Sequence, residues 1–121
     1  MKVYANKINY SFDVKSDVIY EVAVSGKWKD ANIECDEFGW NGSRFGWFAW
    51  VYDNPIADSA KTVPGYNYMR LMGSVRGRFY DLAGKNEISF EDSGTLALFA
   101  NDNKFLYFNN IGYLDVELKE K

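Results

Sequence analysis

The chain has 121 residues, enough for one domain over residues 1–121. Its formal net charge is −3, from 14 basic and 17 acidic residues. This balance argues against a general nucleic-acid binder, which needs a basic face to displace counterions from phosphates. The absence of histidine removes the commonest general base and the usual zinc ligand. Cys35 is the only cysteine, so an intrachain disulfide is excluded.

Two further absences bear on where the protein acts. No apolar run approaches the ~20 residues that span a bilayer, so we expect no membrane insertion. The first residues lack the apolar core of a secretory leader. The expectation is a cytoplasmic protein, or one released without a cleavable leader, and the localisation stays open.

Short alternating segments predict β-strands along the chain. Near the start, Ile8, Tyr10, Phe12 and Val14 alternate with polar residues, a pattern typical of a half-buried strand. Residues 95–100 are apolar on both faces, which predicts a central strand. Further strands are predicted at 18–25, 44–52, 68–75 and 111–118. No segment has a sustained helical period, so we predict an all-β chain folded as a small antiparallel β-sandwich.

Residues 101–112 are the densest source of hard oxygen ligands in the sequence. Asp102 is followed, seven residues later, by the adjacent carboxamides Asn109 and Asn110. Calcium prefers about six to eight oxygens from carboxylates, carboxamides and backbone carbonyls. On a regular strand the two Asn side chains would face opposite ways, so both reach one ion only if the backbone bends. The residues alone also fit an ordinary turn, and both interpretations remain open.

Other groups of residues allow competing hypotheses. Asp30, Glu34, Asp36 and Glu37 form an acidic run that suits a solvated loop, a second ion site or a glycosidase carboxylate pair. Four tryptophans offer flat surfaces on which a sugar ring could stack: Trp28, Trp40, Trp47 and Trp50. The spacing alone favours the solvated loop for the acidic run.

The C-terminal third resembles the PA-I galactophilic lectin (LecA) family. The shared pattern is an apolar strand ending in Asn101-Asp102, a short loop, Asn109-Asn110-Ile111-Gly112 and a final alternating strand. Three upstream segments are similar to other strands of that family: residues 3–6, 17–28 and 71–75. The resemblance implies a jelly-roll-like sandwich that binds one Ca²⁺ ion, through which galactose hydroxyls are held.

The resemblance also implies a set of ligands. Asp102, Asn109 and Asn110 would bind calcium through their side chains, and Leu106 through its carbonyl. A further carbonyl from the loop after Trp28 falls at about Asp30. Asp102 and Asn109 would contact the sugar as well.

The sugar-selecting part of the family pattern is different in this chain. The family uses a His-Pro step and a nearby Gln, and this chain contains neither His nor Gln. The step that the resemblance offers instead is Asn54-Pro55, with Asp53 or Asp58 nearby. The family forms small homo-oligomers, so the resemblance implies one here too.

Three functions follow as hypotheses. The first is a calcium-dependent lectin for galactose-type glycans, which binds without breaking a bond and is therefore not an enzyme. The second is a structural or adhesion sandwich of the same fold without a working sugar site. The third is a glycosidase that uses two of the acidic loop residues.

Overall fold

The computed structural model describes residues 1–30, 33–39, 62–102 and 110–121, with the backbone alone at Asp30 and Ile33. The predicted strand at 44–52 lies outside this part of the chain. In the described part, no helix is long and apolar enough to cross a membrane. The described strands are β1 (Lys2–Tyr4), β2 (Asn9–Val14), β3 (Ile19–Asp30), β4 (Ile33–Cys35), β5 (Leu71–Val75), β6 (Arg78–Asp81), β7 (Glu87–Ser89), β8 (Gly94–Ala100) and β9 (Asn110–Glu120).

The strands form two antiparallel sheets. The first has the order β1-β9-β3-β4, with β7 also paired to β3, and the second has the order β2-β8-β5-β6. Strand β7 pairs with the start of β3 and β4 with its end. Apart from β4, the strands pair as β1 with β9, β2 with β8, β3 with β7 and β5 with β6. This is the pairing of a jelly roll, a ribbon of strand pairs folded over into two sheets. The predicted all-β sandwich is confirmed.

Alternation along the strands places the core between the sheets. In β9, Leu114 and Val116 are buried, while Tyr113, Asp115 and Glu117 face solvent, as the sequence pattern predicts. Strand β8 lies between β2 and β5 and is buried from Leu96 to Ala100. The largest fully buried side chains are Trp28, Tyr20, Phe90, Met69, Leu71 and Met72.

Strand β2 differs from its predicted pattern. Tyr10 is 72% exposed, whereas Asn9 is 6% exposed. The carboxamide of Asn9 donates to the carbonyls of Tyr4, Lys7 and Leu98 and accepts the Tyr4 N–H. These bonds satisfy a buried polar side chain, and the register against β8 shifts between Tyr10 and Asp13. The expectation that Tyr10 belongs to the buried face of a regular strand is therefore wrong.

The segment around Arg76 is a tight hairpin instead of an extended run. Val75 pairs with Arg78, and the two residues between them both have positive φ, 49° at Arg76 and 80° at Gly77. Two positive φ values are typical of the type I′ turn that joins antiparallel strands. The two-residue spacing of Arg76 and Arg78 predicts a shared, solvated face on an extended segment, but Arg76 lies in the turn and Arg78 begins β6.

Candidate metal and sugar site

The predicted site residues fall into two groups. Asp102 follows the end of β8, Asn110 begins β9, and Asp30 ends β3. The other predicted residues lie outside the described part of the chain: Asp53, Asn54, Leu106 and Asn109. The structure therefore describes the two ends of the predicted calcium loop and one of its carbonyl donors.

Asp30 and Asn110 are direct partners in the β3–β9 ladder. The family resemblance implies a calcium-binding carbonyl at about Asp30, which is eighty residues before Asn110 in the sequence. Antiparallel partners lie about 4.5–5.5 Å apart between Cα atoms. The ladder therefore brings the Asp30 backbone beside the first residue of β9.

Asn110 has a buried carboxamide oxygen that meets no donor. The residue is 2% exposed, and its Nδ2 donates to the carbonyl of Ala5 at 2.9 Å. Its Oδ1 accepts no hydrogen bond within the described part of the chain. Burying an amide acceptor without a partner costs about 1–3 kcal/mol. A cation is one partner that would offset this cost.

Asp102 is a buried acidic residue at the end of the central strand. Its residue exposure is 3%. Its backbone carbonyl accepts both the N–H of Thr62 at 2.9 Å and the hydroxyl of Thr62 at 2.8 Å. Aspartate is almost never fully buried unless it is paired or coordinates a metal. The burial of Asp102 fits a paired carboxylate and a metal ligand equally well.

Asn101 fixes the backbone next to Asp102. It is fully buried, and its Oδ1 accepts the Val63 N–H at 2.8 Å. Its Nδ2 donates to the carbonyls of Val63, Tyr66 and Asn67 at 2.9, 3.1 and 3.2 Å. Sequence reasoning missed this role, because either member of the Asn101-Asp102 pair could have been the turn residue. The carboxamide holds the 62–67 loop against the end of β8.

Trp28 links this loop to the first sheet. Its indole N–H donates to the Met69 carbonyl at 2.9 Å, and the Met69 N–H donates to the Asn101 carbonyl at 2.6 Å. Trp28 also pairs with Gly112 in the β3–β9 ladder. Asp102 directly follows Asn101, and Asn110 lies two residues before Gly112. The same end of the sandwich therefore carries both predicted ligands.

The complete burial of Trp28 also decides one of the earlier alternatives. The side chain is 0% exposed, so it cannot stack on a sugar in this structure. The other three tryptophans, Trp40, Trp47 and Trp50, lie outside the described residues.

Arg70 anchors the other side of the loop. Its guanidinium forms a two-pronged ion pair with Asp81, at 2.8 and 2.9 Å. The hydrogen bond that Arg70 donates to Asp81 raises the pKa of Arg70 above its ordinary value, against the opposing effect of burial. Its carbonyl accepts the Asn101 N–H at 2.9 Å. A permanently charged, paired side chain thus supports the strand end that carries Asp102.

The acidic run after Trp28 is spread over the end of β3, strand β4 and the turn that follows β4. Glu34 is exposed and lies 3.7 Å from Lys27, and Asp36 accepts the Phe38 N–H. Glu37 accepts the Gly84 N–H through its side chain. Across the described ranges, no three His, Cys, Asp or Glu residues are grouped to hold a metal. The predicted calcium site has a different donor set, with one carboxylate and otherwise neutral oxygens.

No model of a known protein family matches the sequence, and no curated protein matches it. The proposed function is therefore supported by the chain's own residues and by the motif resemblance at its C-terminal end.

Proposed function

We propose that this protein is a calcium-dependent carbohydrate-binding domain for galactose or a related sugar. The observation that carries the proposal is the buried Oδ1 of Asn110, which accepts no hydrogen bond in the described part of the chain. Its amide nitrogen is held by Ala5 at 2.9 Å, so the oxygen has a fixed direction. An oriented, neutral, buried oxygen is a suitable ligand for a hard cation.

The proposed ion is held by residues at both ends of the 103–109 segment. Asp102 supplies the carboxylate and Asn110 a carboxamide oxygen. The Asp30 carbonyl, on the strand beside Asn110, is the third described donor. Asn109 and the Leu106 carbonyl complete the proposed set, and both lie outside the described residues.

The composition of this donor set suits a bound sugar. A single carboxylate leaves one of the two positive charges of a calcium ion uncompensated. Calcium accepts about six to eight oxygens and supplies positions for outside ligands, including two neighbouring sugar hydroxyls. In the proposal, Asp102 and Asn109 also contact the sugar, and Asp53 and Asn54 contribute to its selection; Asp53, Asn54 and Asn109 lie outside the described residues.

Retention on immobilised galactose tests the proposal. The protein should be retained in calcium and eluted by a chelator. The Asp102→Asn variant, which removes the carboxylate charge at nearly constant volume, should not be retained. The matched Asp17→Asn variant changes an exposed turn carboxylate and should behave as wild type. Retention of wild type that survives the chelator would contradict calcium dependence.

A structural or adhesion domain is the second candidate. It is favoured by the absence of the His and Gln that select the sugar in the family that this chain resembles. On this hypothesis calcium raises the melting temperature, and a glycan array stays blank with and without calcium. Any calcium-dependent signal on the array would select the carbohydrate-binding function instead.

A further inference from the structure

The outer surface of the first sheet carries an aromatic and basic face. Tyr4 and Tyr113 are direct partners on β1 and β9, and Lys27 on β3 is the next residue across the sheet. All point away from the core, because Val3, Leu114 and Trp28 beside them are fully buried. We name this surface the tyrosine–lysine face, made of Lys2, Tyr4, Lys7, Lys27, Lys29 and Tyr113.

The two tyrosines form one exposed aromatic surface. Their ring centroids are 5.6 Å apart and their planes are tilted by 58°. Tyr4 is 37% exposed and Tyr113 is 38% exposed. Aromatic side chains with an apolar ring and a polar hydroxyl are enriched where proteins contact ligands. Two neighbouring rings on a regular sheet therefore make a rigid contact surface.

Lysines surround this aromatic surface. The ammonium of Lys2 lies 4.8 Å from the Tyr113 ring centroid, and that of Lys7 lies 5.0 Å from the Tyr4 centroid. An anionic group that pairs with either ammonium would also lie beside an aromatic ring. The geometry thus couples recognition of a negative charge to contact with an apolar surface.

The face has the opposite charge from the chain. It holds four lysines, and among the described residues the two carboxylates directly opposite its lysines in the ladders are Asp115, opposite Lys2, and Glu34, opposite Lys29. Four positive charges less two negative ones leave +2, whereas the whole chain has −3. A local positive field on an acidic protein favours an anionic ligand at that face.

We propose that the tyrosine–lysine face binds an acidic carbohydrate, a glycan with carboxylate or sulfate groups. The sugar rings would lie against Tyr4 and Tyr113, and the anionic groups would pair with the lysines. Single-stranded nucleic acid also combines stacking with negative charge, but it carries a phosphate at every residue. A net charge of only +2 with two interspersed carboxylates suits a glycan of sparser charge, such as one carboxylate for every two sugars, better than a chain with a phosphate at every residue. This proposal is independent of calcium, since the face is exposed while Asn110 is buried.

Calorimetric titration in a chelating buffer tests the face separately from the calcium site. The probes are hyaluronan oligosaccharides, which carry carboxylates, heparin oligosaccharides, which carry sulfates as well, and neutral chitin oligosaccharides. We expect one or both acidic probes to bind and the neutral probe to bind at least about tenfold more weakly, with binding weakened by added salt. Comparison of the two acidic probes distinguishes carboxylate from sulfate recognition.

Variants locate the binding surface. Lys2→Gln with Lys27→Gln should weaken binding about tenfold through lost charge, and Tyr113→Thr should weaken it to a similar extent through lost contact area. Tyr10→Thr is the matched control, since Tyr10 is an exposed tyrosine on the other sheet and should bind as wild type. The lysine variant removes no buried group, so it still tests the proposal if Tyr113→Thr fails to fold.

The proposal is overturned if neither acidic probe binds, or if the neutral probe binds equally well. Equal losses of affinity for the acidic probes in Tyr10→Thr and Tyr113→Thr would also overturn it. Oligothymidylate serves as the nucleic-acid probe. If it binds more tightly than both acidic glycans, the face is a nucleic-acid-binding surface instead.

Discussion

The carboxamide nitrogen of Asn110 donates to the Ala5 carbonyl across 2.9 Å, joining the first residue of β9 to the turn after β1. The Ala5 N–H in turn donates to the Gly112 carbonyl at 3.0 Å. These two bonds hold the start of β9 on both sides of Ile111. The direction of the Asn110 Oδ1 atom is therefore determined by the fold before any ion binds, which lowers the cost of ordering a ligand.

Replacing Asp102 tests the carboxylate ligand. Asp102→Asn should weaken calcium binding by more than about tenfold, because the proposed site has no other carboxylate among its donors. Calorimetric titration with calcium chloride measures the change. Asp17→Asn is the control, because Asn tolerates the positive φ of 64° at this exposed turn. Unchanged calcium affinity in Asp102→Asn would contradict the assignment.

Asn110→Asp distinguishes the effect of calcium binding on stability from the effect of the side chain alone. In a chelating buffer the new buried carboxylate should lower the free energy of unfolding by about 1–3 kcal/mol, since burial penalises a charged group. Calcium should restore most of this loss, because the ion neutralises the added charge. Thermal melts with chelator, calcium and magnesium measure the effect. If calcium restores no stability, Asn110 is not a ligand.

Trp28→Phe tests the bridge between the sheets. It leaves the Met69 carbonyl without its 2.9 Å donor and should cost about 1–3 kcal/mol of stability. Because the bridge supports the Asn101 backbone, calcium affinity should fall as well. Tyr113→Phe removes an exposed hydroxyl from the same sheet and should change neither quantity. Denaturant unfolding and calcium titration give the two readouts, and a stable Trp28→Phe variant would contradict the argument.

Two glycines with the same backbone conformation allow a steric comparison. Gly39 has φ of +82°, and a Cβ there would lie 2.3 Å from the Tyr68 carbonyl oxygen. Gly77 has φ of +80°, and a Cβ there meets no atom within 4 Å. Gly77→Ala should cost about 1–2 kcal/mol from the left-handed conformation alone. Gly39→Ala adds a backbone clash and should cost several times more, measured by denaturant unfolding; equal costs would contradict the close approach.

The last two strands, β8 and β9, were predictable because one is a continuous apolar run and the other alternates simply. Leu114 and Val116 face the core as their spacing indicates, and β8 is buried on both faces. The burial pattern of strand β2 was not predictable from the sequence. Its register shift and the hydrogen bond from Asn9 to the Leu98 carbonyl depend on β8, which is distant in sequence. Likewise, β3 continues through Gly26 to Asp30, although the predicted strand ended at residue 25, just before this glycine.

The candidate site divides in a similar way. The Asp102 to Asn110 spacing is visible in the sequence, so both proposed ligands could be named from it. The partnership of Asp30 with Asn110 depends on the register of a ladder between strands about eighty residues apart. The Trp28 link to Met69 depends on packing between the two sheets, which no local pattern encodes.

Calorimetric titration of the calcium-loaded protein with methyl galactoside tests the central claim most directly. We expect heat of binding in calcium, its loss when a chelator is added, and its return when calcium is restored. Heat that persists in the chelator, or no heat with galactoside or any related sugar in calcium, would contradict calcium-dependent carbohydrate binding.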